Sequence, residues 1–378
     1  MRIIFRLLTV LLTVTVLILI PIITSTNLAY ATEATKLSWQ VTANDITIVS
    51  PAFEIHVSKT GGISSYLFAG MQVQNIGLLI HPHGGGWYFT TTYGTMLKDP
   101  IVEQFERGVK IVTFARWDNP DYDMHFDITM EHYVYETGAV IISVLIQTWQ
   151  DTPSIGFASK IFQLPPDIFK GSSVEGYYGG SLAFSSTIPS EKTWLIGKGF
   201  TQVLIITQRT VSIVYVNLDP IVDMEINWPY FIEAKTKFTK NFPVYKGQEL
   251  KLMFLFWMHD KGEDFNKRLV QLFTKLSDAM AKIEQGKTAF KISMARKSLI
   301  KAEESIPEAL NAIALADLSK AEELVNNVYN LARRGYLTEV RVRTSIYILI
   351  PLAISITLLI WAKIKWTGRL IGAKVKAK

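Results

Sequence analysis

The stretch from Met124 to Tyr135 carries the residue types best suited to chemistry in this sequence. Apolar and polar residues alternate along it, as in a β-strand that has one face in a core. Its polar face would present carboxylates, an imidazole and phenol rings in one row, formed by His125, Asp127, Glu131, Tyr133 and Tyr135. Aromatic rings stack on sugar rings, while carboxylates and imidazoles hydrogen-bond to hydroxyls. We therefore predict a glycan-binding surface here, with paired carboxylates for glycoside chemistry and an ordinary solvent-facing sheet surface as the alternatives.

An acidic cluster overlaps the start of this strand and consists of Asp118, Asp121, Asp123 and Asp127. Hard carboxylate oxygens are the ligands that calcium prefers. The cluster lacks the Gly and the spaced Glu of an EF-hand loop, and Asn119-Pro120 already accounts for a turn. A solvated loop is therefore the main prediction, calcium is the alternative, and no other cofactor is expected.

The segment His81-Pro82-His83-Gly84-Gly85-Gly86-Trp87 resembles, from His83 to Gly86, the oxyanion-hole motif of lipases and esterases. That chemistry also needs a G-x-S-x-G nucleophile elbow on a strand-to-helix turn. The nearest candidate, Gly179-Gly180-Ser181-Leu182-Ala183, lacks the final Gly and lies among predicted strands. We expect a turn between two strands at 81–87 and assign no catalytic residue.

The elements that must position these residues extend from residue 36 to residue 258. Short runs rich in Val, Ile, Phe, Tyr and Thr alternate there with Gly, Pro, Asn and Asp turn signals. The runs at 140–146, 211–218 and 250–258 are more continuously apolar, as in the interior of a sandwich. The fold class predicted is mainly β, as one large antiparallel sandwich or two smaller ones.

A helical region is predicted from residue 261 to residue 335. Apolar residues recur there at three- and four-residue steps in two runs, with Ser305-Ile306-Pro307-Glu308 as a capping box between them. Gly335 is predicted to be the C-cap of the second run. Two long helices would form a hairpin stalk, and homo-oligomerisation through this stalk is the alternative.

The two ends of the chain predict a membrane topology. Residues 1–31 have the charged start, apolar middle and Ala29-Tyr30-Ala31 site of a cleaved signal peptide, with an uncleaved membrane anchor as the alternative. Residues 344–362 carry no charge and are long enough to cross a bilayer. The basic tail at 363–378 places the C-terminus in the cytoplasm and the bulk of the chain outside the cell, as a single-pass membrane protein.

Charge and cysteine content exclude several classes of function. The formal net charge of +6 comes from the tail and from Arg2 and Arg6, so the outer body is close to neutral and no nucleic-acid partner is expected. The chain has no cysteine. Disulfides, thiol nucleophiles and cysteine-bound metals are therefore excluded.

The segment Phe53-Glu54-Ile55-His56-Val57-Ser58-Lys59-Thr60-Gly61-Gly62-Ile63 predicts a strand, a Gly-Gly turn and a returning strand. Together with Leu164-Pro165-Pro166-Asp167-Ile168-Phe169-Lys170-Gly171, it resembles galactose-mutarotase-like supersandwich domains over residues 45–258. The resemblance implies contact with glycans, with or without catalysis. The order of signal, outer domain, stalk and anchor also resembles that of archaeal surface-layer anchor proteins.

These observations together predict a membrane-anchored cell-surface protein whose outer β domain binds a glycan or an envelope polymer. A structural envelope anchor that acts through protein–protein contacts is the first alternative. A carbohydrate-active enzyme of mutarotase, lyase or hydrolase type is the second.

Overall fold

A computed structural model describes residues 37–81, 86, 88–122, 124–189, 193–218, 223–228, 231–289 and 293–376. The predicted signal peptide at residues 1–31 lies outside this part of the chain. The described residues form two antiparallel β-sheets, followed by helices.

The strands are numbered in chain order. They are β1 (Ser38–Val41), β2 (Asp45–Val49), β3 (Phe53–Ser58), β4 (Ile63–Phe68), β5 (Met71–His81), β6 (Tyr88–Phe89), β7 (Thr95–Met96), β8 (Ile101–Phe105), β9 (Gly108–Asn119), β10 (Met124–Tyr135), β11 (Val140–Thr148), β12 (Thr152–Gln163), β13 (Ser173–Tyr178), β14 (Ser181–Thr187), β15 (Thr193–Phe200), β16 (Val203–Gln208), β17 (Val211–Asn217), β18 (Asp223–Trp228), β19 (Phe231–Val244) and β20 (Glu249–His259).

The strands are divided between two sheets of ten strands each within the described residues. Sheet 1 has the order β1-β2-β3-β4-β5-β12-β19-β18-β15, with β6 beside β5. Sheet 2 has the order β14-β13-β16-β17-β20-β11-β10-β9-β7, with β8 beside β9. The mainly β fold predicted from the sequence is confirmed.

The main core lies between the two sheets, because each sheet turns one set of alternating side chains towards the other. Tyr66 of sheet 1 and Phe256 of sheet 2 are both fully buried there, with ring centroids 5.7 Å apart. The Tyr66 hydroxyl donates a 2.7 Å hydrogen bond to the Gly138 carbonyl. Phe53 adds an edge-to-face contact with Tyr66 at 6.1 Å. Aromatic rings of both sheets therefore contact one another in this part of the core.

A second core lies on the other face of sheet 2, where helices pack on the sheet. The helices are α1 (Pro166–Phe169), α2 (Glu263–Ala289), α3 (Ser293–Ala314), α4 (Leu318–Thr344) and α5 (Ile350–Lys376). Val214, Val216, Leu255 and Trp257 of the sheet share one buried cluster with residues of α2, α3 and α4. We call this side, which includes the outward residues of β8–β11, the outer face of sheet 2.

The predicted two-helix stalk is in fact three helices, and the prediction of a capping box at Ser305–Glu308 is wrong. Pro307 lies inside α3, and the Ser305 hydroxyl donates back to the Lys301 carbonyl at 2.9 Å instead of capping a helix start. The chain reverses after α3 at Ala316, where φ is +59°, and the Asp317 side chain caps α4 by accepting from Lys320 N at 3.1 Å.

Gly335 is not a C-cap, because α4 continues past it to Thr344. A Cβ atom at this position would lie 2.8 Å from Leu299 Cγ and 3.0 Å from the Ala295 carbonyl oxygen. Glycine is therefore required for the close approach of α4 to α3. The predicted apolar stripe of α4 is confirmed, since Leu318, Ala321, Val325, Val328 and Ala332 are all buried.

One helical stretch in the described part of the chain, Leu318–Trp366, is long and apolar enough to cross a membrane. Its most apolar 18-residue window has a mean hydropathy of 2.2 and is not buried by the rest of the chain. A π-helical segment, Ser345–Leu349, joins α4 to α5, and the Ile350 N–H donates to the Ser345 carbonyl. Pro351 follows directly and has no N–H to continue the normal ladder, which accounts for the wider turn.

Candidate functional site

Strand β10 places the five predicted ligand-binding residues on the outer face of sheet 2. Its other face is formed by Met124, Phe126, Ile128, Met130 and Val134, which are buried in the core between the sheets. The strand has the bounds that the sequence predicts, and it pairs with β9 and β11 over almost its full length. The alternation therefore assigns the faces correctly.

One end of this row is occupied by contacts within the sheet. His125 is buried, its Nδ1 lies 2.9 Å from Asp118 Oδ1, and its ring meets Trp149 edge-to-face at 5.0 Å. Asp127 accepts two hydrogen bonds from Arg116, at 2.8 and 2.9 Å. The bidentate partner raises the pKa of Arg116. These groups lie at register positions where β9 and β10 face each other, so they stabilise the pairing of the two strands.

The middle of the row is a small hydrogen-bonded cluster. Glu131 lies 3.0 Å from Lys110 Nζ and accepts a 2.8 Å hydrogen bond from the Tyr133 hydroxyl. Burial lowers the pKa of Lys110, but hydrogen bonds to Glu131 and Tyr133 outweigh this effect and raise it overall. Burial and the Glu131 carboxylate together raise the pKa of Tyr133. Lys110 therefore stays cationic and Tyr133 stays a neutral donor.

The far end of the row lies beneath the helices. Tyr135 is 5% exposed and belongs to the core that α2–α4 form with sheet 2. Phe105 of β8 packs edge-to-face on Tyr135 at 5.3 Å and lies 6.5 Å from the Tyr133 ring. Burial raises the pKa of Tyr135 to about 12. This end of β10 is therefore aromatic and partly enclosed.

A groove of about 400 Å³ opens between this aromatic end and helix α3. We call it the tyrosine groove; its lining residues are Glu103, Gln104, Phe105, Lys110, Tyr133, Tyr135, Pro307, Glu308 and Asn311. Phe105, Tyr133 and Tyr135 contribute three aromatic rings to this lining, and the other residues contribute carboxylate, ammonium and amide groups. Such a mixture can hold a polyhydroxylated ligand by ring stacking and by hydrogen bonds to its hydroxyls.

The structure brings Glu131, Tyr133 and Tyr135 to the groove region, and it does not bring His125 or Asp127 there. Tyr133 lies eight positions after His125, which is about 27 Å along an extended strand. The five predicted residues share a face without forming one site. Sequence reasoning missed the residues that β8 and α3 contribute, because it treated the helices as a separate stalk.

The acidic cluster and the glycine motifs have other roles. Asp118 and Asp127 are taken by His125 and Arg116, and no group of three or more His, Asp or Glu residues in the described regions is arranged to hold a metal ion. Asp123 lies outside the described residues, as do Pro82–Gly85 and Trp87.

The Gly179-Gly180 pair has φ angles of +57° and +79° and forms the hairpin turn between β13 and β14. It is not a strand-to-helix elbow, so it offers no nucleophile for an esterase mechanism.

The chain is similar in fold to solved sugar-converting enzymes. A galactose 1-epimerase from Lactobacillus acidophilus NCFM is 9% identical with a TM-score of 0.42, over 60% of this chain and 100% of that one. An aldose epimerase homologue from C. elegans is 9% identical with a TM-score of 0.33, over 60% and 100%. An alpha-N-acetylgalactosaminidase from Bifidobacterium bifidum is 7% identical with a TM-score of 0.40, over 71% of this chain and 42% of that one.

These neighbours agree with the mutarotase-like resemblance predicted from the sequence. No protein-family model and no curated protein sequence matches the chain. At TM-scores below 0.5 the likenesses carry no argument about a site.

Proposed function

We propose that this chain is a membrane-anchored cell-surface protein whose β domain binds a saccharide in the tyrosine groove. The observation that carries the proposal is the enclosure of Phe105, Tyr133 and Tyr135 beside Glu103, Glu308 and Asn311 in one groove. Aromatic floors with polar rims are suited to sugar rings, which have apolar faces and hydroxylated edges.

The hydrogen-bonding groups of the groove supply both donors and acceptors. Lys110 donates, Glu103 and Glu308 accept, and the Asn311 amide does both. Tyr133 is fixed by its hydrogen bond to Glu131, so its ring is held in place before a ligand arrives. A pre-oriented ring loses little conformational entropy on binding, which favours affinity.

The apolar helix supports the anchoring part of the proposal. Helix α4 has 27 residues and is about 40 Å long at about 1.5 Å per residue; it leads from the core on sheet 2 towards the apolar window. The groove uses the end of α3 that lies next to the start of α4, far from that window. A ligand would therefore be held well above the bilayer surface, with the lysines at 363–378 on the cytoplasmic side.

The test of saccharide binding is a glycan array probed with the full chain in lipid nanodiscs. Tyr133→Ala should weaken binding to any captured glycan by about tenfold or more, because stacking and a hydrogen bond are both lost. Tyr245→Ala is the matched control, since Tyr245 is 63% exposed and lies away from the groove. Equal effects of the two variants, or no captured glycan, would overturn the proposal.

The anchoring is tested separately by membrane fractionation. The full chain should stay in the membrane pellet after an alkaline wash, and replacement of Leu352 and Ile354 by Lys should release it, because charges at the centre of the span are costly. Release of the unaltered chain by the wash would contradict a spanning helix.

A structural envelope role is the second candidate, and the edge strand β1 favours it. Trp39 and Val41 on this strand are 38% and 52% exposed, and among the described residues β1 has a strand partner on one side only, so this edge presents both backbone groups and apolar side chains. Light scattering on the full chain in detergent would show a defined oligomer in this case. Val41→Lys would then return the chain to a monomer.

A further inference from the structure

Charge is divided between the two ends of the hairpin that helices α3 and α4 form. The turn at Ala316 and the adjoining parts of both helices, residues 303–323, contain six acidic residues and one lysine. Residues 295–302 of α3 and 331–344 of α4 contain seven cationic residues and one acidic residue. We call these two sets the acidic end and the basic end. On α4 the uncharged residues 324–330 separate them.

The two parts of the basic end lie side by side on the surface. Gly335 of α4 packs against Ala295 and Leu299 of α3. Glu339, the acidic residue of this end, is 3% exposed, and its Oε1 lies 3.4 Å from Arg343 Nε, so it offsets at most one of the seven positive charges. All seven cationic residues are exposed, namely Arg296, Lys297, Lys301, Arg333, Arg334, Arg341 and Arg343.

The basic end is also the end next to the apolar window. Arg341 and Arg343 directly precede the uncharged stretch at 344–362, and Gly335 lies nine residues before Thr344, about 14 Å at the usual helical rise. The headgroup layer adds roughly 5–8 Å to each side of the hydrocarbon core of a bilayer. The basic end therefore extends from the headgroups to about one Debye length above them.

Two apolar side chains are exposed within the basic end. Leu337 and Val340 are 37% and 38% exposed, and both lie between Gly335 and the start of the uncharged stretch. Cations beside exposed apolar side chains are typical of helices that bind the interface of a bilayer, where the apolar groups reach the acyl boundary and the cations meet anionic headgroups.

A second copy of the chain is the other partner that these charges would suit, through contact of its acidic end with this basic end. Chains anchored in one bilayer by the same helix hold their corresponding ends at the same height. Asp317 of the acidic end lies 24 residues before Arg341, about 36 Å along the helix. Neighbouring copies would therefore bring like charges together, which favours a lipid over a second copy as the partner.

We propose that the basic end binds the phosphate-bearing headgroups of anionic lipids in the leaflet that α4 enters. The inference goes beyond the proposed saccharide site and rests on the proposed anchoring by the apolar helix. Each cation close to an anionic surface strengthens binding roughly fivefold. The same surface repels the acidic end, which includes Glu308 of the tyrosine groove, and so keeps the groove directed away from the bilayer.

The experiment measures the lipid preference of the full chain in phosphatidylcholine vesicles. Spin-labelled phosphatidylglycerol and spin-labelled phosphatidylcholine are trace probes, and electron paramagnetic resonance gives the fraction of each that the protein immobilises. The anionic probe should associate more strongly, and added salt should weaken this preference. A hairpin variant should lower the preference at least about fivefold. In it, glutamine replaces Arg296, Lys297, Arg333 and Arg334.

Two control variants separate the charge of the hairpin from other effects. In the first, glutamine replaces four exposed lysines of the β domain, Lys98, Lys170, Lys246 and Lys251, and the preference should be unchanged. In the second, lysine replaces Arg296, Arg333 and Arg334, which keeps the charge and should keep the preference. The basic tail at 363–378 is the same in every variant, so its own attraction for anionic lipid cancels in the comparison.

The outcomes that contradict the inference are distinct. A preference that the hairpin variant leaves unchanged overturns it and assigns the attraction to the basic tail. Binding of heparin, a soluble sulfated polymer, that the hairpin variant abolishes while the lipid preference stays, overturns it in favour of an anionic polymer. An alkaline wash of the same vesicles tests the anchoring. Release of the unaltered chain overturns the anchoring and this inference together, whereas a retained chain with no preference for the anionic probe overturns this inference alone.

Discussion

The two ends of strand β10 have the same alternation of side chains but different surroundings. Tyr133 and Tyr135 lie at the end that the helices cover, whereas His125 and Asp127 lie at the uncovered end and pair with residues of β9. The cover comes from far along the chain, since Thr137 beside β10 hydrogen-bonds to the Ala314 carbonyl 177 residues later. Alternation therefore decides which side chains share a face, and distant elements decide which of them line a groove.

The largest effect is expected where the helices meet the sheet. Trp257 is fully buried, packs edge-to-face on Phe265 of α2 at 5.3 Å and donates to the Thr137 carbonyl at 3.1 Å. Trp257→Ala should lower the free energy of unfolding by about 3–5 kcal/mol, through lost burial and a cavity. Denaturant unfolding of the full chain in detergent measures this. Trp39→Ala on the exposed edge strand is the control. If Trp257→Ala lowers the free energy of unfolding no more than this control does, the helices do not depend on the contact with the sheet.

Acidification is expected to lower the free energy of unfolding by up to about 3 kcal/mol for each of two buried histidines. Burial lowers the pKa of His132, between the sheets, and of His259, beside the helices, from 6.5 to about 4. At these two positions the folded chain then binds fewer protons than the unfolded chain between these pH values, so their contribution to the free energy of unfolding falls as the pH drops from 6.5 to 4 and is constant below 4. A shift of this size corresponds to at most about 3 kcal/mol for each histidine.

His132→Leu separates the core between the sheets from the core under the helices. The variant removes one titrating group, and both ring nitrogens of His132 are buried without a hydrogen-bond partner in the described structure. Of the two histidines whose pKa burial lowers, only His259 would remain, so their combined loss of stability between pH 6.5 and 4 should roughly halve. Burial lowers the pKa of His56, but hydrogen bonds to Glu54 and Asp45 raise it overall, so His56 contributes with the opposite sign in both proteins. An unchanged slope would show that His132 does not contribute.

The smallest effect is expected at the uncovered end of β10. The side chains of Arg116 and Asp127 are 42% and 27% exposed, so solvent screens their attraction. A double-mutant cycle with Arg116→Gln and Asp127→Asn should give a coupling free energy of about 1 kcal/mol or less. Neither variant should alter saccharide binding by the tyrosine groove. A loss of binding there would show that the whole row of β10 acts as one site.

Much of the β architecture could be predicted from the sequence. The bounds of β10, the Gly-Gly turn between β3 and β4, and the apolar runs that became β11, β17 and β20 follow from periodicity and turn chemistry. The groove could not be predicted, because six of its nine lining residues come from β8 and α3, and α3 is remote in sequence from β10.

One signal for the second core was present in the sequence. Strands β17 and β20 are apolar on both faces, with Val214 and Trp257 opposite the residues that face sheet 1. A sheet that is apolar on both faces needs a cover on each, and the helices at 263–344 are the cover that follows. The predicted helix boundaries are wrong for local reasons. Ser305 and Pro307 lie inside α3, and Gly335 allows α4 to pack closely on α3.

The uninterrupted helix from α4 through the π-helical segment into α5 has a mechanical consequence. It runs from Leu318 to Lys376, about 88 Å at the usual rise, with no slack linker between the β domain and the apolar window. Tension on a polymer held by the β domain would be transmitted along this continuous helix to the bilayer. Bending under such a load would concentrate at Ser345–Leu349, where the ladder is widened before Pro351. The helix would thus be stiff along most of its length and would bend at the π-helical segment, next to the membrane.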